Sequence, residues 1–96
     1  MKVRYTPRAR GDIEKIYEYL DERNSSGARN VLLAIYAGVQ FIGERPKGSE
    51  RTEDPNVRVK VVPRYRYKIF YSIVGDSVEI LHVRHTARRP WKGEPS

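Results

Sequence analysis

The stretch that decides the fold runs from Val57 to Trp91 and reads VRVKVVPRYRYKIFYSIVGDSVEILHVRHTARRPW. Residues 57–61 alternate valine with a basic residue, which predicts a strand whose valines are buried. Residues 66–73 alternate again and predict a second strand, whose inward face carries Tyr67, Ile69, Tyr71 and Ile73. Gly75-Asp76 predicts a turn, and the nearly continuous apolar run 78–83 predicts a third strand covered on both faces. The stretch therefore predicts a three-stranded antiparallel meander that ends in a basic tail.

Upstream of this meander, the sequence predicts one short strand and two helices. Residues 2–5 alternate and predict the strand. Thr6-Pro7 places a capping residue before a proline at the first helical position, and so predicts a helix over residues 7 to about 23. A second apolar stripe predicts a helix from about residue 27 to 44. The inward residues are predicted to be Val3 and Tyr5 in the strand, Ala9, Ile13, Ile16, Tyr17 and Leu20 in the first helix, and Ala28, Val31, Leu32, Ile35, Val39 and Ile42 in the second.

The order of these elements predicts an α+β fold. An N-terminal strand is followed by an antiparallel helical hairpin over about residues 7–45, and the meander then completes one sheet. Residues 46–56 are predicted to form a surface loop. The helices should cover one face of the sheet and leave the other face open, with the basic sheet and tail over residues 57–92. We interpret residues 1–96 as a single domain.

Composition limits the classes of protein that this chain can represent. Its 96 residues are 39% hydrophobic and 32% charged, which is typical of a globular protein and too apolar for a disordered one. Because cysteine is absent, disulfides and thiolate metal sites are excluded. The first residues, MKVRYTPRAR, contain no apolar targeting segment, so we expect a cytoplasmic protein. We expect no cofactor.

Positive charge is concentrated in the second half of the chain. Residues 1–56 hold 10 Lys/Arg and 9 Asp/Glu, a net of +1, and residues 57–96 hold 9 and 3, a net of +6, which together give +7. The predicted sheet is therefore the basic part, and its cationic outer face is expected to attract a polyanion or an acidic protein. The alternative is a solvated surface whose charge only maintains solubility.

Several short motifs occur in a distinctive order along the chain. They are Thr6-Pro7-Arg8-Ala9 with Asp12-Ile13, the Arg45-Pro46 end of the helical hairpin, Arg58, YRYKIFY over residues 65–71, Gly75-Asp76, and ILHVRHTARR over residues 80–89. Together they resemble the RelE/ParE superfamily, the toxins of bacterial type II toxin–antitoxin systems. The resemblance covers nearly the whole chain and is closer to the ParE-like members.

The resemblance implies two different activities on one fold. RelE-like members are endoribonucleases that cut messenger RNA, usually on the ribosome. ParE-like members poison DNA gyrase and have no known nuclease chemistry. Both are neutralised by a cognate antitoxin, which is expected to be acidic with a DNA-binding N-terminal part. A third possibility is a degenerate homologue that only binds its antitoxin.

RNA cleavage would need cations to stabilise the phosphorane and a side chain to carry protons. Carried over by position, the residues of a RelE-like site would be Arg58, Lys60, Lys68, His85 and Arg88. His85 is the acid/base candidate, although a strand-end histidine bonded to the backbone is the alternative. Trp91 stands where RelE-like nucleases often have tyrosine, and its indole cannot act as a base, which favours the ParE-like interpretation. His82 is predicted to be a satisfied core histidine, and it cannot share a metal with His85 because strand alternation sends the two to opposite faces.

Binding to a target or an antitoxin would use other residues. The predicted target-binding face and tail comprise Arg64, Arg66, Arg84, Arg89 and Trp91. The antitoxin is expected to cover the off-stripe apolar residues Leu33 and Phe41 of the second helix, or to add a strand to an exposed sheet edge.

Overall fold

Within residues 1–86, seven elements form one helical layer and one sheet. The computed structural model describes residues 1–86, so the predicted tail residues Arg88, Arg89 and Trp91 lie outside the described part. The elements are β1 Lys2–Tyr5, α1 Pro7–Asp21, α2 Ser25–Glu44, β2 Glu50–Arg51, β3 Arg58–Val62, β4 Tyr67–Val74 and β5 Ser77–His85. The strand order is β1-β5-β4-β3-β2, with β1 parallel to β5 and the other neighbours antiparallel. The predicted α+β fold is confirmed, and the predicted loop 46–56 contains one additional strand, β2.

Thr6 fixes the start of α1 and fastens it to the sheet. Its hydroxyl oxygen accepts a hydrogen bond from the Ala9 amide at 3.1 Å, the N-cap that the sequence predicted. The same hydroxyl lies 2.9 Å from the Ile80 carbonyl oxygen and 3.2 Å from that of Leu81, to which it donates. The Thr6 amide also donates to Ile80. The helix therefore begins where β1 leaves β5. Neither described helix is both long and apolar enough to cross a membrane.

The core lies between the helices and one face of the sheet. Its members include Ile13, Ile35 and Ile42 from the helices and Tyr67, Ile69, Tyr71, Ile80 and Val83 from the sheet. The predicted inward face of β4 is confirmed, since Tyr67 is 4% exposed and Tyr71 is fully buried. The Tyr71 hydroxyl donates to the Pro46 carbonyl at 2.6 Å, which holds the end of the helical hairpin against the sheet. Tyr17, predicted to be inward, is instead 37% exposed.

The inward face of β3 is the opposite of the predicted one. Val61 is 44% exposed and Val62 is buried. Because Val62 pairs with Tyr67 and Lys60 pairs with Ile69, the helix side of β3 carries Val62, Lys60 and Arg58. β3 lies near the sheet edge, where the aliphatic stems of two long cations can cover the core rim while their charges reach outward.

A β-bulge gives β5 its apolar run. Phe70 pairs with His82 but Tyr71 pairs with Ile80, so Leu81 is the extra residue on β5. The bulge brings Ile80 and Val83 to the same helix-facing side, although they are three residues apart. The prediction that β5 is covered on both faces is therefore wrong, because a bulge rather than a second covering layer accounts for the run.

Candidate functional site

The hairpin formed by β3, its turn and β4 carries positive charge without any negative charge. No Asp or Glu occurs between Asp54 and Asp76. We call this segment the cationic hairpin, and its five basic residues are Arg58, Lys60, Arg64, Arg66 and Lys68. Sheet register divides them into three groups: two on the helix side, two in the turn and one on the open face.

The two helix-side cations of the hairpin serve the fold. Arg58 donates from Nη1 to the Ser49 carbonyl at 2.9 Å, which supports the loop before β3. The Lys60 ammonium nitrogen lies 4.4 Å from the centre of the Phe41 ring, a cation–π contact with α2. Both side chains are half-buried. They therefore stabilise the rim of the core.

The turn of the cationic hairpin is strained. Arg64 has φ of +79° and Arg66 has φ of +62°, values that favour glycine. The Tyr65 amide donates to the Pro63 carbonyl at 2.9 Å, which makes a γ-turn centred on Arg64, and the left-handed form of this turn is rare. The Arg66 carbonyl accepts from the Thr86 amide at 2.7 Å. The backbone of two exposed arginines is thus held beside the end of β5.

The open face of the sheet combines cations with apolar residues, so the predicted cationic outer face is only partly correct. Lys68 lies directly opposite Arg84 on β5, and Val61 lies opposite Lys68 on its other side. Phe70 stacks on the ring of His82, with 5.6 Å between ring centres and 18° between planes. The Arg84 guanidinium carbon lies 5.7 Å from the centre of the Phe70 ring. On this face, Lys68 and Arg84 therefore lie beside a strip of apolar residues that includes Phe70 and Val61.

A groove of about 500 Å³ lies between α1 and the free edge of β5. Asp12 is its central residue. One carboxylate oxygen accepts from the Val83 amide at 3.0 Å and lies 2.7 Å from Nδ1 of His82. Because β1 ends opposite Ile80, this carboxylate replaces the missing neighbouring strand. The groove is lined by Arg8, Asp12, Lys15, Ile16, Tyr19, Tyr67, His82, Val83, Arg84 and His85.

The two histidines of β5 differ in surroundings. His82 has a satisfied ring nitrogen, as predicted, but lies at the strand edge rather than in the core. His85 packs edge-on against Tyr67, with 4.9 Å between ring centres. They lie on opposite faces of β5, since His82 pairs with the open-face Phe70 and His85 with the core residue Tyr67.

Asp12 had not been assigned a role from the sequence. A signal was available, because Asp12 lies three residues after the buried Ala9 and one before Ile13, at the border of the apolar stripe of α1. A carboxylate at the border of this apolar stripe lies close to the sheet on which the stripe packs. Its particular partner, the Val83 amide, depended on the bulge and on where β1 ends.

The structure brings some predicted site residues together and separates others. Lys68 and Arg84 are register partners on the open face, and Arg64 and Arg66 lie in the turn at the same end of the sheet. Arg64 also lines the groove between α2 and this turn. The ribonuclease set is divided, because Arg58, Lys60 and His85 lie on the helix side and Lys68 on the open face. Its fifth member, Arg88, lies outside the described residues.

The residues expected to contact an antitoxin lie on different parts of α2. Leu33 is 60% exposed. Phe41 is half-buried beneath Lys60 in a groove of about 400 Å³ between α2 and the turn of the cationic hairpin. The two therefore do not form one patch.

A second apolar surface, which the sequence did not predict, lies where α1, α2 and β1 meet. Tyr5, Tyr17 and Tyr36 line a groove of about 590 Å³ there, which we call the tyrosine groove. Tyr5 and Tyr36 meet edge to face, with 6.5 Å between ring centres. Burial raises the pKa of Tyr5, the neighbouring Tyr36 adds to the rise, and Arg10 opposes it.

Comparisons with known proteins agree with this architecture. A family model described as the ParE toxin of type II toxin–antitoxin system, parDE, matches residues 3–90. Among curated protein sequences, none matches the chain.

Solved structures share the fold. A structure of the chromosomal ParDE toxin–antitoxin system from P. aeruginosa is similar with a TM-score of 0.79 and 22% identity, over 88% of this chain and 95% of that one. The isolated E. coli RelE toxin has a TM-score of 0.65 and 13% identity, over 91% and 85% of the two chains. The intact E. coli RelBE toxin–antitoxin complex has the same score and identity, over 91% and 98%.

Proposed function

The chain belongs to the ParE toxin family of type II toxin–antitoxin systems, and from that premise we propose that it inhibits bacterial growth by binding and poisoning DNA gyrase. It acts in the cytoplasm by binding, without catalytic residues of its own. The match of the ParE family model over residues 3–90 is the observation that carries the proposal.

The distribution of the candidate catalytic residues supports gyrase binding over RNA cleavage. Acid/base catalysis needs the proton carrier and the stabilising cations to converge on one phosphate. Here His85 lies on the helix side of the sheet, against Tyr67, whereas Lys68 lies on the open face. Arg58 is engaged by the Ser49 carbonyl. Within residues 1–86, these groups therefore do not face a common point.

A cognate antitoxin is proposed to neutralise the toxin by covering exposed apolar surface of the helical hairpin. Leu33 and Tyr36 are 60% and 43% exposed, and Tyr36 lines the tyrosine groove. Tyrosines are frequent interface anchors, because they bury a large ring and keep a polar tip. β1 lies at the sheet edge beside this groove and offers its outer side for strand addition.

The antitoxin surface is tested by Leu33→Glu, which places a charge in the proposed apolar contact. Gln40→Glu, at another exposed position of α2, is the matched control. We expect Leu33→Glu to weaken antitoxin binding at least tenfold, measured by calorimetry, and Gln40→Glu to leave it nearly unchanged. Equal affinities for the two variants would contradict this placement.

The target is tested with toxin released from its antitoxin and added to two reactions. One measures gyrase supercoiling of relaxed plasmid, and the other measures labelled messenger RNA on translating ribosomes. We expect lost supercoiling or trapped cleaved DNA with the message intact. A cut message with unaffected gyrase would instead establish the RelE-like activity, and His85→Ala would then show whether His85 carries protons. No effect in either reaction would favour a homologue that only binds its antitoxin.

A further inference from the structure

We propose that the turn end of the cationic hairpin binds the phosphate backbone of duplex DNA directly. The contacting residues are Arg64 and Arg66 of the turn, Lys68 of β4 and Arg84 of β5. This contact goes beyond gyrase binding and does not depend on it. It would let the toxin hold the DNA as well as the protein of a gyrase–DNA complex.

The charge of this surface is not neutralised by acidic side chains within residues 1–86, although Arg64 and Arg84 each lie near an aromatic ring. Residues 55–75 carry five cations and no acidic residue. Ion pairs found within residues 1–86 are Arg23 with Glu22 and His82 with Asp12, so none of them neutralises the four proposed contacts. A surface with uncompensated positive charge attracts phosphates and releases their counterions on binding.

The placement of Lys68 and Arg84 adds a second argument. They are register partners on the open face, and like charges directly opposite each other on neighbouring strands are destabilising. An anion between them removes this repulsion. Arg58, by contrast, donates a hydrogen bond to the Ser49 carbonyl.

The strained turn provides the third argument. Glycine adopts a positive φ at low cost, yet both left-handed positions of this turn are arginines. A strained backbone that persists in a structure points to a function of the residues it presents. Because the Arg66 carbonyl is bonded to the Thr86 amide, the turn is held in place. A backbone that is already ordered loses little conformational freedom on binding.

DNA suits this surface better than an acidic peptide does. Three of the four cations are arginines, whose planar fork matches phosphate oxygens and pairs with them bidentately. Lys68 and Arg84 lie on a sheet face, and the largest described groove, the tyrosine groove, lies away from them beside β1. A smaller groove of about 400 Å³, lined by Arg64, lies between α2 and the turn. Positive charge spread over a sheet face suits the regularly spaced phosphates of DNA. Binding of an acidic peptide is the alternative outcome that the test distinguishes.

Fluorescence anisotropy with a labelled 20-base-pair duplex of arbitrary sequence, at 50 to 200 mM salt, tests the proposal. For four phosphate contacts, the logarithm of the binding constant should fall with that of the salt concentration with a slope of about −3.6. Affinity should therefore fall on the order of 100-fold over this range. No duplex binding at 50 mM salt would overturn the proposal.

Matched variants locate the contact. Arg64→Gln should reduce the magnitude of the slope by about 1, because one phosphate contact is lost. Arg29→Gln removes the same charge from an exposed position of α2 and should leave the slope unchanged. Equal changes for the two variants would show a general charge effect and would overturn the site. Tighter binding to a poly-glutamate peptide than to DNA, through the same arginines, would assign the surface to an acidic protein instead.

Arg64→Gly separates strain from contact. Glycine relieves the positive φ, so the melting temperature should rise on the order of 5 °C, while DNA affinity falls. If Arg64→Gly kept full DNA affinity, the arginine would have no contact with DNA and the proposal would fail. Binding of the unaltered toxin to gyrase is measured separately without DNA, which keeps failure of this proposal distinguishable from failure of the gyrase proposal.

Discussion

The two faces of the sheet contrast within single strands. On β4, Ile69 and Tyr71 point to the helices and are fully buried, whereas Lys68, Phe70 and Ser72 point to the open face and are half-buried. The helix side is filled by aliphatic and aromatic side chains, and the buried Tyr71 hydroxyl is hydrogen-bonded to the Pro46 carbonyl. The open side pairs Lys68 with Arg84 and leaves Val61 exposed. One face therefore supplies the stability of the fold, and the other is available for binding.

The same contrast divides residues of one chemical type. Arg58 and Lys60 lie on the helix side, where carbonyl and ring contacts hold them. Lys68 and Arg84 lie on the open side, next to each other. A basic residue in this sequence is thus structural or available according to the face on which register places it, and substitutions on the two sides should behave differently.

The largest difference is expected between neighbouring residues of β4. Ile69→Ala leaves a cavity in the fully buried core and should lower the free energy of unfolding by about 2–5 kcal/mol. Phe70→Ala, on the half-buried open face, should cost clearly less although it removes more atoms. Urea unfolding of the full chain measures both. Equal costs would show that the open face contributes to stability as the core does.

A smaller difference is expected between two tyrosines. Tyr71→Phe removes the hydroxyl that bonds to Pro46 and leaves a carbonyl without its donor, so it should cost about 1–2 kcal/mol. Tyr65→Phe is the control, because the Tyr65 hydroxyl has no hydrogen bond within residues 1–86, and it should change stability by less than about 0.5 kcal/mol. The same unfolding measurement distinguishes them, and a neutral Tyr71→Phe would contradict the role of the bond.

Two charge-removing substitutions compare the contributions to stability of a helix-side cation, Arg58, and an open-face cation, Lys68. Arg58→Gln should cost about 1 kcal/mol, because the bond to the Ser49 carbonyl is lost. Lys68→Gln should be neutral or stabilising by up to about 0.5 kcal/mol, because it relieves repulsion from Arg84. The shift in melting temperature measures both. A loss for Lys68→Gln equal to that for Arg58→Gln would remove the distinction between the two faces.

The smallest effect is expected at the rim of the helix side, in alkaline solution. Burial raises the pKa of Tyr5 in the folded protein above its usual value of 10.0. The folded state therefore holds this proton more tightly than the unfolded state does. The resulting stability is fully present below pH 10.0 and is lost as the pH rises through the folded pKa. Tyr5→Phe should lose less stability than the parent protein between pH 9 and 11, measured by urea unfolding, and an identical loss would contradict the assignment.

Sequence patterns predicted the features that local chemistry determines. Thr6-Pro7 marked the start of α1, and the alternation in residues 66–73 identified the core face of β4. The inward face of β3 was predicted wrongly, because the consecutive residues Val61 and Val62 place a valine on each face of the strand. The aliphatic stems of long cations can also substitute for apolar residues on the buried face. β2 is only two residues long, and both are polar. Two polar residues are too few to show the alternation that predicts a strand.

The candidate site was predictable in composition but not in arrangement. The run of cations without acids is visible in the sequence, and so are Arg64 and Arg66. Which cations share a surface depends on register. The β5 bulge lies between the contacts that Thr6 and Asp12 make with β5 across more than 70 residues of sequence. The left-handed turn could not be predicted, since arginine is an unfavourable residue at positive φ.

The attachment of Thr6 to the Ile80 carbonyl has a consequence for the order in which the molecule is built. The two residues are separated by 74 positions, and among the strands of residues 1–86 β1 pairs only with β5. During synthesis, β1 and the first turn of α1 therefore leave the ribosome well before β5, the strand that they contact. Contacts of such long sequence separation slow folding. The β1 edge of the sheet is thus completed only at a late stage of folding, whereas the helical hairpin precedes β5 in the chain and leaves the ribosome earlier.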